Sequence, residues 1–461
     1  MALQRVLAHL DGIEIEIDSL TLVSPAELQI LRKRLSNIHT RLGCSILTKL
    51  PTEIITEISL CCGAHFPDHA AVLLASVSRE WRQLTLGLPA LWAHIVVPWK
   101  LGKQRDFIEM FMRRSGVSPL RVTLCMEDIE TSFNTRTMVD AVFRTIEWDR
   151  VQRLHLEIPV SQIHLIHAVA AKVVNPTLDF PALEELTLRF TGPSRLWDAL
   201  VFDQIFSPST TPRLREVTLH DAPPGVLSFS WAAVTEFTGM GGVLEQSLDA
   251  VNLAPNMHRC TICGTHPDSD TRGRLSLVKL HDLLAAPLLH QALKEVTLQS
   301  DEALGFIECV NLPALESLEI AWQSVSLDAE LFKAFLTRST PPIKQLTLRG
   351  MNDTSPGVDL TEALPALRGL PIEQLHIAPL DSSLKLIDEL RDPSFLPCIR
   401  KLELGADVAL WIDAHGVVWS ARQAVKVRVA ALGTESERVG ITVSAVGLYK
   451  YCPRWVASIP M

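Results

Sequence analysis

The sequence predicts an α/β protein: an N-terminal helical hairpin and a second all-α segment, followed by an irregular repeat solenoid built on a parallel sheet. Three observations predict it. Apolar residues recur at helical spacing from Leu3 to Leu84. From about residue 98 a short pattern, apolar-x-x-apolar-x-apolar, returns about ten times. Between copies lie helical segments such as Leu327 to Leu336 and Leu384 to Leu390, so strand and helix alternate and the strands should stack in parallel.

Residues 1–46 read as helices. Leu3, Leu7, Leu10, Ile17 and Leu20 keep helical spacing. Ser24-Pro25-Ala26-Glu27 is a capping box with Pro at the first helical position. Leu28, Leu31, Leu35, Ile38 and Leu42 follow, and Gly43 can end the helix in a left-handed conformation. The pattern suits a short coiled coil that dimerises, or a helical pair packed beside the next module.

Residues 47–97 form a second helical module. Pro51 starts a helix on which Ile54 and Ile58, four apart, share a face. Asp68 can cap a second helix carrying the stripe Leu73, Val77, Trp81 and Leu84, and Leu91-Trp92 closes the bundle.

The repeat occupies residues 98–405. Phe180-Pro181-Ala182-Leu183-Glu184-Glu185-Leu186-Thr187-Leu188, Thr211-Pro212-Arg213-Leu214-Arg215-Glu216-Val217-Thr218-Leu219 and Leu312-Pro313-Ala314-Leu315-Glu316-Ser317-Leu318-Glu319-Ile320 are clear copies. Ile343-Leu346-Leu348 and Ile399-Leu402-Leu404 continue them. Fainter copies are Val151-Leu154-Leu156, Met257-Cys260-Ile262, Leu275-Val278-Leu280, Leu293-Val296-Leu298 and Ile372-Leu375-Ile377. Their uneven spacing straddles the roughly 20–29-residue period of leucine-rich repeats. The apolar-x-apolar end is a short strand whose alternate residues point to opposite faces. The x positions should therefore line a concave, target-binding surface: Thr187, Arg189, Thr218, His220, Thr297, Gln299, Glu319, Thr347, Arg349, His376 and Glu403. Residues 406–461 leave the pattern. Val425-Lys426-Val427-Arg428-Val429 and Val439-Gly440-Ile441-Thr442-Val443 alternate as strands do, as expected of a segment that caps the open end of a repeat array.

Composition narrows the function. Of 461 residues 47% are hydrophobic, enough for a large core, and the net charge of -9 argues against a nucleic-acid partner. Nine scattered cysteines, an odd number in a long chain, suggest free thiols in a reducing compartment, the cytoplasm or nucleus. No apolar run approaches a membrane span, and Asp11, Glu14, Glu16 and Asp18 exclude a secretory signal at the N-terminus.

Chemistry-bearing motifs are few. His258, Cys260, Cys263 and His266 resemble four zinc ligands, but all four within nine residues is unusually tight, and Cys260 already fills an apolar repeat position. There is no Gly-x-Ser-x-Gly elbow, Walker loop or His-Glu-x-x-His. No catalytic residue, cofactor or metal is expected.

Leu50-Pro51-Thr52-Glu53-Ile54-Ile55-Thr56-Glu57-Ile58, with Val77-Ser78-Arg79-Glu80-Trp81-Arg82 and Leu88-Pro89-Ala90-Leu91-Trp92, resembles an F-box. That module docks onto the Skp adaptor of a cullin–RING ubiquitin ligase. The family commonly has Phe where Ser59 stands and Cys where Ser78 stands. Arg114-Ser115-Gly116 leading to Pro119-Leu120-Arg121-Val122-Thr123-Leu124 strengthens the likeness to F-box proteins common in mushroom-forming fungi, which carry a degenerate leucine-rich-repeat-like domain after the F-box. The resemblance implies that Leu50, Pro51, Ile54, Ile58, Val77, Trp81, Leu91 and Trp92 form the adaptor-binding module. The repeats would then recruit a protein target, and the ligase chemistry would belong to the partners. A repeat scaffold that binds a partner without ligase assembly is the rival reading.

Overall fold

A computed structural model describes residues 50–66, 70–98, 104–126, 133–159, 179–191, 206–220, 224, 227–241, 244–264, 286–301, 304–323, 327–351, 360–380, 385–390, 392, 394–406 and 442–445. The helices expected in residues 1–46, the repeat copy at Leu275 and the strand expected at Val425–Val429 lie outside the described residues. The chain forms two compact units. The first comprises its described residues up to Val96 together with Asp106–Leu120, and the second comprises the remainder.

In the first unit α1 (Thr52–His65) begins immediately after Pro51, whose fixed φ of -55° and lack of an N–H suit a helix start. Its carbonyl accepts the amides of Ile54 and Ile55 at 3.1 and 3.2 Å. The single second helix expected from the Leu73–Leu84 stripe is instead two, α2 (Ala70–Val77) and α3 (Arg79–Leu86). The cause is Ser78. Its backbone is extended, and its hydroxyl accepts the Trp81 amide at 3.2 Å, making it the N-cap of α3. Arg82 ties the two helices by donating from Nε to the Ala75 carbonyl at 2.9 Å.

Next come α4 (Pro89–Trp92), β1 (His94–Pro98) and α5 (Gln104–Ser115). Trp92 is the centre of this core. It is fully buried, donates from Nε1 to the Thr85 carbonyl at 2.8 Å, meets the Phe111 ring edge-on at 5.1 Å, and carries the Arg114 guanidinium 4.3 Å above its ring. Gly63 permits close packing of α1 on α4, since a Cβ there would lie 2.8 Å from Leu91 Cδ2.

The second unit is mixed α/β around a large parallel sheet. Its strands are β2 (Leu120–Cys125), β3 (Val151–Pro159), β4 (Glu185–Thr191), β5 (Glu216–His220), β6 (Glu236–Met240), β7 (Arg259–Cys263), β9 (Glu295–Gln299), β11 (Ser317–Trp322), β12 (Gln345–Gly350), β13 (Gln374–Leu380), β14 (Lys401–Ala406) and β15 (Thr442–Ala445), which neighbour one another in that order. A separate parallel pair joins β8 (Leu288–Leu289) to β10 (Val310–Asn311). The helices between strands include α6 (Phe133–Thr145), α7 (Leu244–Leu253), α8 (Gly305–Cys309), α9 (Ala329–Ser339), α10 (Leu364–Leu367) and α11 (Lys385–Glu389).

Register is set by the repeat frame. The second apolar positions align from Leu154 through Leu186, Val217, Phe237 and Cys260 to Leu402, and all of these are buried. A one-residue slip would turn this apolar row outward. The ladder begins one residue before the strands. The residue after each first apolar position donates its amide to the equivalent carbonyl of the previous repeat copy, from Glu184 on Gln152 at 2.8 Å to Arg400 on Glu373 at 2.8 Å. Of the segments foreseen as helical, Leu327 to Leu336 corresponds to α9. Asp328 caps α9 by accepting the Glu330 and Leu331 amides, and Thr340 ends it at φ 42°.

One copy of the repeat was not anticipated from the sequence. Val234-Phe237-Gly239 carries strand β6, although its third position is glycine. A Cβ on Gly239 would lie 3.2 Å from the Phe237 ring and 3.3 Å from Ser247 Oγ, so the Phe237 ring occupies the space of the missing side chain. Beyond β14, strand β15 continues the sheet in parallel, with Val443 opposite Leu402. None of the described cysteines is in a disulfide. Among the described residues, no helix is long and apolar enough to cross a membrane.

Candidate functional site

Two surfaces carry the candidate residues. On the first unit, α1 is apolar on two sides and only one is covered. Ile55 and Ser59 face the interior, whereas Ile54 and Ile58, one residue earlier in each turn, are 47% and 41% exposed. On α2, which packs against α1, Leu73 is 38% and Val77 43% exposed. Exposed large apolar side chains concentrated on two helices of a small unit are a mark of a docking surface. Of the other residues the resemblance points to, Pro51 is exposed and Leu50 and Trp81 are half-buried. Leu91 and Trp92 are buried in the core.

Ser59 is fully buried and donates its hydroxyl to the Ile55 carbonyl at 2.8 Å. Its polar group is therefore satisfied within its own helix and leaves the exposed face apolar.

The second surface is the open face of the sheet. All eleven residues proposed from the x positions lie on it. Arg189 is exposed, the other ten are half-buried, and none is in the core. Register brings five threonines into one row across adjacent strands: Thr187, Thr218, Thr238, Thr261 and Thr297. Thr238 was missed with its repeat copy; Thr261 was legible as an x position, between Cys260 and Ile262. The row continues as Glu319, Thr347, His376 and Glu403.

Several polar groups of this face are already engaged within the sheet. Arg349 donates from Nε to Glu319 at 2.9 Å, His376 Nδ1 lies 3.1 Å from Glu403, and Lys401 reaches the other oxygen of Glu403 at 2.9 Å. Arg189 stands 3.6 Å from Glu157. One row nearer the strand starts, Glu185, Glu216 and Glu236 sit side by side. Burial, then repulsion from these neighbours, raises the Glu216 carboxyl above its usual range. Arg259 relieves the crowding by bridging Glu236 and Glu295 at 2.7 Å each.

Partial burial lowers the imidazoles of His155, His220 and His376, the last partly offset by Glu403. Burial thus favours the neutral imidazole at all three, and the face presents hydroxyls, amides and paired charges. A depression of about 120 Å³ lies over Thr347, His376, Lys401 and Glu403. It is well below the roughly 300–1,000 Å³ of small-molecule sites.

The suspected zinc set does not converge. Cys260 is in the core, where burial pushes its thiol up to about 12; Cys263 lies on the opposite, open face beside Gln299; His258 is exposed. His266 lies outside the described residues. Residues of the open face that sequence reasoning passed over include His155 and Glu157 on β3. His155 is the x position between Leu154 and Leu156, and Glu157 lies one strand position beyond Leu156, so the repeat frame of Val151-Leu154-Leu156 reaches both.

The chain matches no model of a known protein family, and a search of curated proteins returns no match.

Proposed function

We propose that this chain is the substrate-recognition subunit of a Skp–cullin–F-box ubiquitin ligase. In this reading the first unit is an F-box that docks on the Skp adaptor through Pro51, Ile54, Ile58, Val77 and their neighbours. The second is an irregular leucine-rich-repeat-like solenoid whose open sheet face holds a protein target in the cytoplasm or nucleus. Catalysis is left to the partners. The observation that carries the reading is the exposure of Ile54, Ile58 and Val77, which a self-sufficient helical bundle would bury. Covering three half-exposed apolar side chains contributes roughly 1 kcal/mol each to docking.

The test is co-purification with the Skp adaptor. Wild type should bind. Ile54→Asp with Ile58→Asp should abolish binding while the circular dichroism spectrum and melting temperature hold, because both side chains are exposed. A double variant that binds like wild type refutes the docking face. A folded wild type that never binds the adaptor refutes the ligase reading and leaves a repeat scaffold.

A further inference from the structure

The open face of the sheet carries a set of ligand-type side chains that the ligase reading does not use. His155 and Glu157 are alternate residues of β3, so they project from the same face. Cys125 ends the neighbouring strand β2, and the Met126 amide donates to the Glu157 carbonyl at 2.7 Å, fixing the end of β2 beside Glu157. One ligand atom from each of Cys125, His155 and Glu157 lies within 4.8 Å of the other two, and all three residues are half-buried. From this convergence we propose that Cys125, His155 and Glu157 bind a divalent ion of the zinc class, clamping β2 to β3.

The donor set selects the ion. Thiolate and imidazole favour zinc or cobalt over magnesium and calcium, which need oxygen shells. Three protein ligands leave a fourth tetrahedral position for water. Two anionic ligands balance the ion's charge, and the thiol proton is released to solvent on binding. Small side-chain rotations from two hydrogen-bonded strands bring the three atoms to bonding distance. The adverse neighbour is Arg189, which holds Glu157 loosely at 3.6 Å from a half-exposed position and must swing aside. This inference is independent of adaptor docking, since its residues belong to the second unit.

Cobalt(II) titration of the full chain tests it, because a thiolate ligand gives a near-ultraviolet charge-transfer band that carboxylate or imidazole alone does not. Wild type should show this band saturating at one equivalent, and zinc should displace it. Cys125→Ser should abolish the band. His155→Gln should weaken binding at least ten-fold, as loss of a ligand does. Arg189→Ser should tighten it on the order of ten-fold by removing a like charge near the ion. Cys263→Ser and Cys61→Ser should leave it unchanged. Circular dichroism confirms that each variant folds. No band in wild type, or the same band in Cys125→Ser, overturns the proposal; the latter means adventitious binding at another thiol.

Discussion

Replacing Gly239 probes why strand β6 tolerates, and needs, a glycine at its third apolar position. A methyl group on a strand glycine whose backbone any residue can adopt reduces unfolded-chain entropy and by itself stabilises by about 0.4–1 kcal/mol. Here the added Cβ meets the Phe237 ring at 3.2 Å and Ser247 Oγ at 3.3 Å. Phe237 is buried in the apolar row, and α7 holds Ser247 buried behind it, so neither retreats freely. Overpacking of this kind costs about 1–3 kcal/mol. Gly239→Ala should therefore destabilise by about 1 kcal/mol and Gly239→Val by about 3 kcal/mol. Shrinking the ring isolates the cause. Phe237→Leu alone should cost about 1–2 kcal/mol through the cavity it leaves. In the double variant Gly239→Ala with Phe237→Leu the methyl fills part of that cavity, so the summed cost should fall short of the separate costs by about 1 kcal/mol or more. Urea unfolding followed by far-ultraviolet circular dichroism measures all four chains, with the slope checked for constancy. Additive single effects, or a stabilised Gly239→Ala, would refute the claim that one aromatic ring serves two repeat positions.

Cys260, with its thiol pushed up to about 12, should resist a thiol-specific disulfide reagent in the native protein at pH 8, whereas exposed Cys61 and Cys398 react within minutes; mass spectrometry of trapped peptides reads this out. His155, His220 and His376 are lowered in the folded chain, so the unfolded chain binds more protons just below the ordinary imidazole value. Stability should therefore fall as pH drops below about 6.5, and His376→Gln should flatten that dependence in urea titrations across pH 5–7. Replacing Arg189, His220, Arg349 and His376 together with Ser removes only partly exposed groups, so the fold should survive, each lost pair costing about 1 kcal/mol or less. Proximity labelling should then capture a different partner set, and an unchanged set would remove the open face as the recruiting surface.

The parallel ladder was legible because the strand period of two imposes the apolar-x-apolar rhythm, and a buried first position such as Leu183 or Leu315 recurs three residues before each strand core. Gly239 broke the rhythm on paper but not in space, where Phe237 covers for it. Helical spacing correctly paired Ile54 with Ile58, yet it cannot say which side of a doubly apolar helix is covered; Ile55 and Ser59 took the inside. Ser78 lies inside the single helix expected from the Leu73–Leu84 stripe, and its capping hydrogen bond divides that helix in two. The cross-strand pairs were out of reach, because Arg259 finds partners 23 and 36 residues away and only the register brings them together.

Affinity between this chain and a purified Skp adaptor, measured by calorimetry on wild type and on Ile54→Asp with Ile58→Asp, tests the central claim most directly. The account predicts one-to-one binding by wild type and at least a hundred-fold loss in the folded double variant. Equal affinity of the two chains, or no binding by wild type, would contradict it.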